Sequence, residues 1–240
     1  MASNKNNKSK KNKKNQNRSL PLWVYPVVLL ALLVVGIVLY GILSSNPSAD
    51  TKESSTETPT EESSTKAPTN EEGSTIYADI TVKDYGKITV VLDPEAAPIS
   101  VANFVSLAES GFYDGLTFHR IKEGFMIQGG RGNENSPAVS VIKGEFSLNG
   151  VENPISHTRG VISMARATDY NSATSQFFIM HKDTTSLDGR YAGFGHVVSG
   201  MEVVDAIAEA ANPTDNNGTI PDDEQPIIES IKIRWENENE

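Results

Sequence analysis

The chain has 240 residues, no cysteine and a formal net charge of -10. Without cysteine it forms no disulfide, offers no thiol nucleophile and cannot carry a cysteine-ligated zinc or a bacterial lipoprotein anchor. The charge is unevenly spread: residues 1–21 hold seven Lys/Arg and no acid, 44–75 hold two basic and seven acidic residues, and 76–240 hold twelve basic and twenty-four acidic. An acidic globular part is unsuited to neutralising phosphates, so nucleic acid is not an expected partner.

Residues 1–21 read as a basic cytoplasmic tail. Leu22 to Leu43 follows as an uncharged apolar run, long enough as a helix to span roughly 33 Å of bilayer. Trp23, Tyr25 and Tyr40 lie near its ends, as interfacial aromatics do. The basic flank sets the N-terminus in the cytoplasm and the rest outside, as a single-pass protein of the cell membrane. The run exceeds the usual signal-peptide core and no clean small-x-small site follows, which favours an uncleaved signal anchor over a cleaved leader. Residues 44–75 are almost wholly Ser, Thr, Pro, Glu, Asn and Lys, a composition expected to stay disordered as a linker.

A folded domain is expected over 76–236, with 237–240 as an acidic tail. Ile76–Val82 and Lys87–Leu92 alternate as strands around a turn at Asp84-Tyr85-Gly86. Ser100 to Ser110 places Val101, Phe104, Val105 and Ala108 at helical spacing, with Gly111 as the stop. Ala138–Ile142, Val161–Ala165, Ser175–Met180, Tyr191–Val198 and Ile227–Trp235 read as further strands, and Met201–Ala210 as a second helix. Two helices and many short strands indicate an antiparallel barrel or sandwich with helices at its ends.

The stretch from Phe118 to Gly130 reads as a tight hairpin turning at Glu123-Gly124. Alternation sets Phe118 and Arg120 on one face of its first strand and Met126 and Gln128 on one face of the second. That mixture suits either an oily groove with a few fixed donors or an ordinary core hairpin with an exposed arginine.

Phe118-His119-Arg120 with Gly124-Phe125-Met126-Ile127-Gln128-Gly129-Gly130, then Gly160–Ala165, then Ser175–Ile179, then Leu187-Asp188-Gly189 with Phe194-Gly195, resemble the cyclophilin family of peptidyl-prolyl isomerases. The resemblance covers about residues 77–235 and implies a mainly β fold, an eight-stranded antiparallel β-barrel closed by two helices. It assigns Arg120 as the catalytic arginine and Gln128 as the residue that orients it. Phe125, Met126, Phe178 and Leu187 correspond to the proline-pocket walls, Gln176 to a polar groove residue, and Ala165 and Arg166 to the strand that contacts substrate backbone. His119 matches a histidine beside the arginine. The sequence departs from many members at Ser186 (usually tryptophan), Tyr191 (histidine), Arg166 (asparagine) and Arg131 (aspartate); Tyr191 is still taken as a groove residue.

The implied activity is acceleration of rotation about X–Pro bonds, assisting the folding of exported proteins. Pro-containing polypeptides are the expected clients, the bilayer a further partner through Leu22–Leu43, and the domain is expected to be monomeric. The alternative is a non-catalytic module that holds Pro-containing segments in the same groove. No metal or cofactor is expected. The four histidines show no ligand spacing, and Gly129-Gly130-Arg131-Gly132 is not followed by the lysine-serine pair of a phosphate loop. Ser, His and Asp are all present, without a nucleophile elbow.

Overall fold

The structure, a computed structural model, describes residues 74–237. The expected tail 1–21, the span Leu22–Leu43, all but the last two linker residues and residues 238–240 lie outside the described residues. Among the described residues no helix is long and apolar enough to cross a membrane.

Strands β1 (Ser74–Val82), β2 (Gly86–Leu92), β3 (Phe118–Lys122), β4 (Met126–Gly129), β5 (Val161–Met164), β6 (Phe177–Met180), β7 (Gly193–Ser199) and β8 (Ile228–Asn237) form one antiparallel sheet. Its order is β3-β4-β6-β5-β7-β2-β1-β8. The sheet curls into a half-barrel, and its edge strands β3 and β8 approach without sharing a ladder. The bridge Thr117 to Ile227 and the bonds from Phe118 N–H to Pro226 O (2.9 Å), Ile228 N–H to Leu116 O (2.7 Å) and Gly115 N–H to Ile228 O (2.8 Å) join them. The fold is therefore mainly β as expected, with a seam where full closure was expected. Ser74 and Thr75, assigned to the linker from composition, pair in β1 with Asn237 and Glu236 of β8.

Two helices complete the domain: α1 (Pro98–Glu109) and α2 (Met201–Ala210). Helix α1 starts two residues earlier than its apolar spacing predicts, because Pro98 is tolerated in the first turn, where its missing N–H costs nothing. Ala97 supplies no side-chain cap. Glu145 does so from 45 residues away: its carboxylate accepts from Ile99 N–H (2.9 Å), Ser100 N–H (2.8 Å) and Ser100 Oγ (2.7 Å). This buried carboxylate is thus satisfied, and its charge suits the positive end of the helix.

The strand expected at Ala138–Ile142 does not form; Ile142 makes one bridge, to Ala173. Val139 and Ile142 pack against the core while Val141 is 63% exposed. Inward positions three apart are incompatible with the two-residue period of a strand.

Strands β4, β5 and β6 separate two apolar clusters. Ile127, Ile162, Phe177 and Ile179 face the main core with Phe104, Tyr113 and Phe118. Met126, Val161, Phe178 and Met180 form a second cluster on the other face, with Phe125, Ala165, Leu187 and Tyr191 against it. Burial on both faces explains why β6 reads as an unbroken apolar run and β5 as one interrupted only by the buried Ser163.

Candidate active site

The second cluster floors a surface groove of about 360 Å³ lined by Arg120, Phe125, Met126, Gln128, Ala165, Arg166, Phe178, Leu187, Tyr191 and Asn217. Nine of these ten are positions singled out from the sequence. Of the other two so singled out, Gln176 stands one hydrogen bond behind the wall and His119 is buried within β3.

The β3–β4 register slips between Phe118 and Arg120, so His119 is an extra residue and β3 changes face there. Phe118 packs in the core against Phe177, and Arg120 reaches the groove. The expectation that Phe118 and Arg120 share a face is corrected by this bulge; Met126 and Gln128 do share one. Burial and the nearby Arg131 pull the His119 pKa down to about 4, so the ring is neutral near pH 7. The hairpin ends at Gly130, whose φ of 73° is left-handed, and a Cβ there would meet Tyr113 and Phe177 rings at 2.9 and 3.0 Å.

Arg120 is held from two sides. Its Nε donates to Asn217 O (2.8 Å) and its Nη1 to Gln128 Oε1 (3.0 Å). Gln128 is itself fixed, its Nε2 donating to Gln176 Oε1 at 3.0 Å. The guanidinium lies 6.0 Å over the Phe125 ring. Partial burial lowers its pKa, against which Tyr191 and Asp215 act, and the group stays charged. Nη2 has no protein partner among the described residues.

Asn217 belongs to a loop shaped by Asp215. That carboxylate accepts from Asn217 N–H (2.9 Å), Gly218 N–H (2.9 Å), Thr219 N–H (3.0 Å) and Thr219 Oγ1 (2.9 Å). The loop then covers the open edge of β3: Ile121 N–H donates to Gly218 O, Ile220 N–H to His119 O, and Thr219 bridges Arg120. The sequence reading missed Asn217 because a backbone carbonyl leaves no side-chain signature. The turn composition Asp215-Asn216-Asn217-Gly218 was the available signal.

The opposite wall rests on His157, whose side chain is fully buried. Its ring stacks on Phe178 at 6.1 Å and meets Tyr191 edge-on at 6.5 Å. Burial lowers its pKa despite the facing Asp188, so Nδ1 donates to Asp188 Oδ1 (2.9 Å) and Nε2 accepts from Ser163 Oγ (3.0 Å). Although this Asp-His-Ser chain has the partners of a nucleophile relay, Ser163 is fully buried and no substrate reaches it. It fixes the rings that face the groove. Next to them, Arg166 lies 4.7 Å over Tyr191, 4.8 Å over Tyr170 and 5.0 Å over Phe146. Ser186, beside Leu187, is exposed and does not line the groove.

A curled antiparallel sheet whose outer face carries an apolar floor and a free-edged guanidinium defines a groove for an apolar ring next to a hydrogen-bond acceptor. The family model described as "Cyclophilin type peptidyl-prolyl cis-trans isomerase/CLD" matches residues 77–234, and the chain belongs to that family. Among its relatives, "Peptidyl-prolyl cis-trans isomerase A" of Dickeya dadantii is 43% identical over 163 residues, covering 62% of this chain and 80% of that protein. "Peptidyl-prolyl cis-trans isomerase B" of Bacillus subtilis is 46% identical over 123 residues, covering 50% and 82%. A Cryptosporidium parvum cyclophilin crystallised in the presence of the dipeptide Ala-Pro matches in structure with a TM-score of 0.55 and 29% identity, over 66% of this chain and 98% of that one.

Proposed function

We infer that the groove is where this isomerase turns X–Pro bonds, with Arg120 as the acting donor. A peptide bond resists rotation by roughly 18–20 kcal/mol because resonance gives its C–N bond double-bond character. In the twisted transition state that resonance is gone and the lone pair returns to the proline nitrogen. A donor that reaches this pyramidal nitrogen lowers the barrier without tightening the ground state. The observation that carries the reading is the way Arg120 is held: Nε and Nη1 are committed to Asn217 and Gln128, which aims the fork and leaves Nη2 free.

Phe125, Met126, Phe178 and Leu187 hold the ring while the preceding carbonyl swings, and Ala165 and Arg166 take the client backbone. Uncatalysed exchange takes about 10–100 s, so turnover in milliseconds asks for roughly 5–7 kcal/mol. One pre-aimed charge-assisted donor contributes about 3–4 kcal/mol of this, and holding the ring in place in the pocket adds to it. NMR exchange on an Ala-Pro peptide with the full chain tests this. Acceleration by wild type that falls about 10²–10³-fold in Arg120→Ala is expected. Equal acceleration by the two would remove Arg120 as the donor, and peptide binding with no acceleration by wild type would leave only a binder of Pro-containing segments.

The same proposal places the domain outside the cell membrane, held by Leu22–Leu43 with the basic tail inside, where it serves exported chains. The seven Lys/Arg in 1–21 against two in 44–75, on the other side of the apolar run, support it. Protease added to intact cells is expected to remove the domain; full protection would reverse the orientation.

A further inference from the structure

Two arginines line the groove, Arg120 and Arg166, and no carboxylate does. That is unusual for a segment, 76–240, with twenty-four acidic and twelve basic residues. Two guanidinium groups elsewhere in the domain sit on carboxylates, Arg159 on Asp205 at 2.7 Å and Arg234 on Asp79 at 3.0 Å, whereas Arg131 and Arg190, outside the groove, make no ion pair among the described residues. The groove arginines make no ion pair among the described residues, and their partners are neutral. Arg166 Nε and Nη2 both donate to Arg190 O (3.0 and 2.9 Å), and its Nη1 donates to Ala167 O (2.9 Å) and Thr168 O (3.3 Å). A carbonyl fixes the direction of an N–H without cancelling the charge behind it.

The carboxylates on the adjoining loops are engaged by other partners and pair with neither groove arginine, although the charge of Asp215 is felt at Arg120. Asp215 is engaged by its own turn, Asp188 by Ser156 and His157, and Asp169 by Asn171 N–H. Three aromatic rings and four hydrogen bonds hold Arg166 rigid, so a ligand does not have to order it. Of its five N–H groups one on Nη2 remains unengaged.

We infer that the groove prefers X–Pro segments with a carboxylate side chain adjacent to the proline, and that Arg166 sets the preference. The inference rests on the isomerase reading above. A carboxylate brought beside a fixed, unneutralised guanidinium gains an ion pair that a neutral side chain lacks, and a lysine there meets a like charge. For a half-exposed pair the gain is modest, about threefold to fivefold in kcat/KM.

The test is NMR exchange with the full chain on peptides in which Glu, Gln or Lys stands immediately before or after the proline. On at least one side, Glu is expected to exceed Gln by about threefold and Lys to fall below it. Raising sodium chloride to about 0.5 M shrinks that ratio, since screening acts on the charge alone. Arg166→Gln brings the Glu/Gln ratio to one, and Arg166→Lys, which retains the charge, keeps most of it. The ratio is internal to each protein and holds whatever the substitution does to overall rate, and the salt arm needs no variant. Equal Glu and Gln rates on both sides, a salt-independent ratio, or a ratio unchanged in Arg166→Gln would each overturn the inference while leaving the isomerase reading intact. No acceleration of the Gln peptides by wild type would remove that reading, and the inference with it.

Discussion

The two faces of β4, β5 and β6 do different work with similar residues. On the inner face Phe177 meets Phe104, Tyr113 and Phe118 with ring centroids 5.4–6.0 Å apart, sealed from water on all sides. On the outer face its neighbour Phe178 is just as apolar and 5% exposed, but it meets Tyr191 and His157 and then the groove. Inner packing is held by shape, with one buried hydrogen bond from the Tyr113 hydroxyl to Ser175 O (2.9 Å). The outer face adds a polar chain on each side: Gln176 to Gln128 to Arg120 on one, Ser163 to His157 to Asp188 on the other. Stability and reactivity are therefore set one residue apart along the same strand.

That division makes separable demands. Phe177→Ala leaves a cavity among three rings and should cost about 3–5 kcal/mol, lowering Tm by roughly 10 °C in calorimetry. Arg120→Ala, expected to lose most of the rate, should keep Tm within about 4 °C, since the side chain is half-exposed. A large Tm loss there would merge the two faces.

His119, the extra residue where β3 changes face, links them through pH. Its pKa of about 4 lies below the ordinary 6.5, so the unfolded chain takes up a proton before the folded one. Its contribution is full above pH 6.5 and is lost as pH falls toward 4, by up to about 3 kcal/mol. Urea titrations at pH 7.5, 5.5 and 4.5 should show this slope, flattened in His119→Gln.

Smaller effects should stay on the outer face. Gln128→Ala frees one side of the guanidinium and is expected to lower kcat about tenfold with little change in KM. Asp215→Ala loosens the loop behind Asn217 and should lower kcat about threefold to fivefold. In an Arg120→Ala background it should add nothing, a double-mutant cycle that separates aiming the arginine from general loosening.

Much of this arrangement could be read from the residues. Met126 and Gln128 share a face by alternation alone, and the blocks around Arg120, Phe178 and Leu187 are those that line the groove. What sequence could not show was geometry decided by long-range contacts. The bulge at His119 inserts a residue without any glycine to announce it, so Phe118 was placed on the wrong face. Glu145 caps a helix 45 residues away, Asn217 acts through its carbonyl, and His157 supports a wall from behind. Val139 and Ile142 carry strand-like residue types, yet only Ile142 finds a partner, in its single bridge to Ala173.

The pairing of β1 with β8 runs from Ser74↔Asn237 to Val82↔Ile228. A ribosome delivers β1 well before β8. Until the last of the segment emerges, β1 can pair with β2 but exposes its other edge, with Ile76, Ala78, Ile80 and Val82 still lacking their full cover. An open apolar edge invites pairing with another chain. Completion of this catalyst is thus late and all at once, and the nascent protein is itself a substrate for whatever guards unfinished sheets.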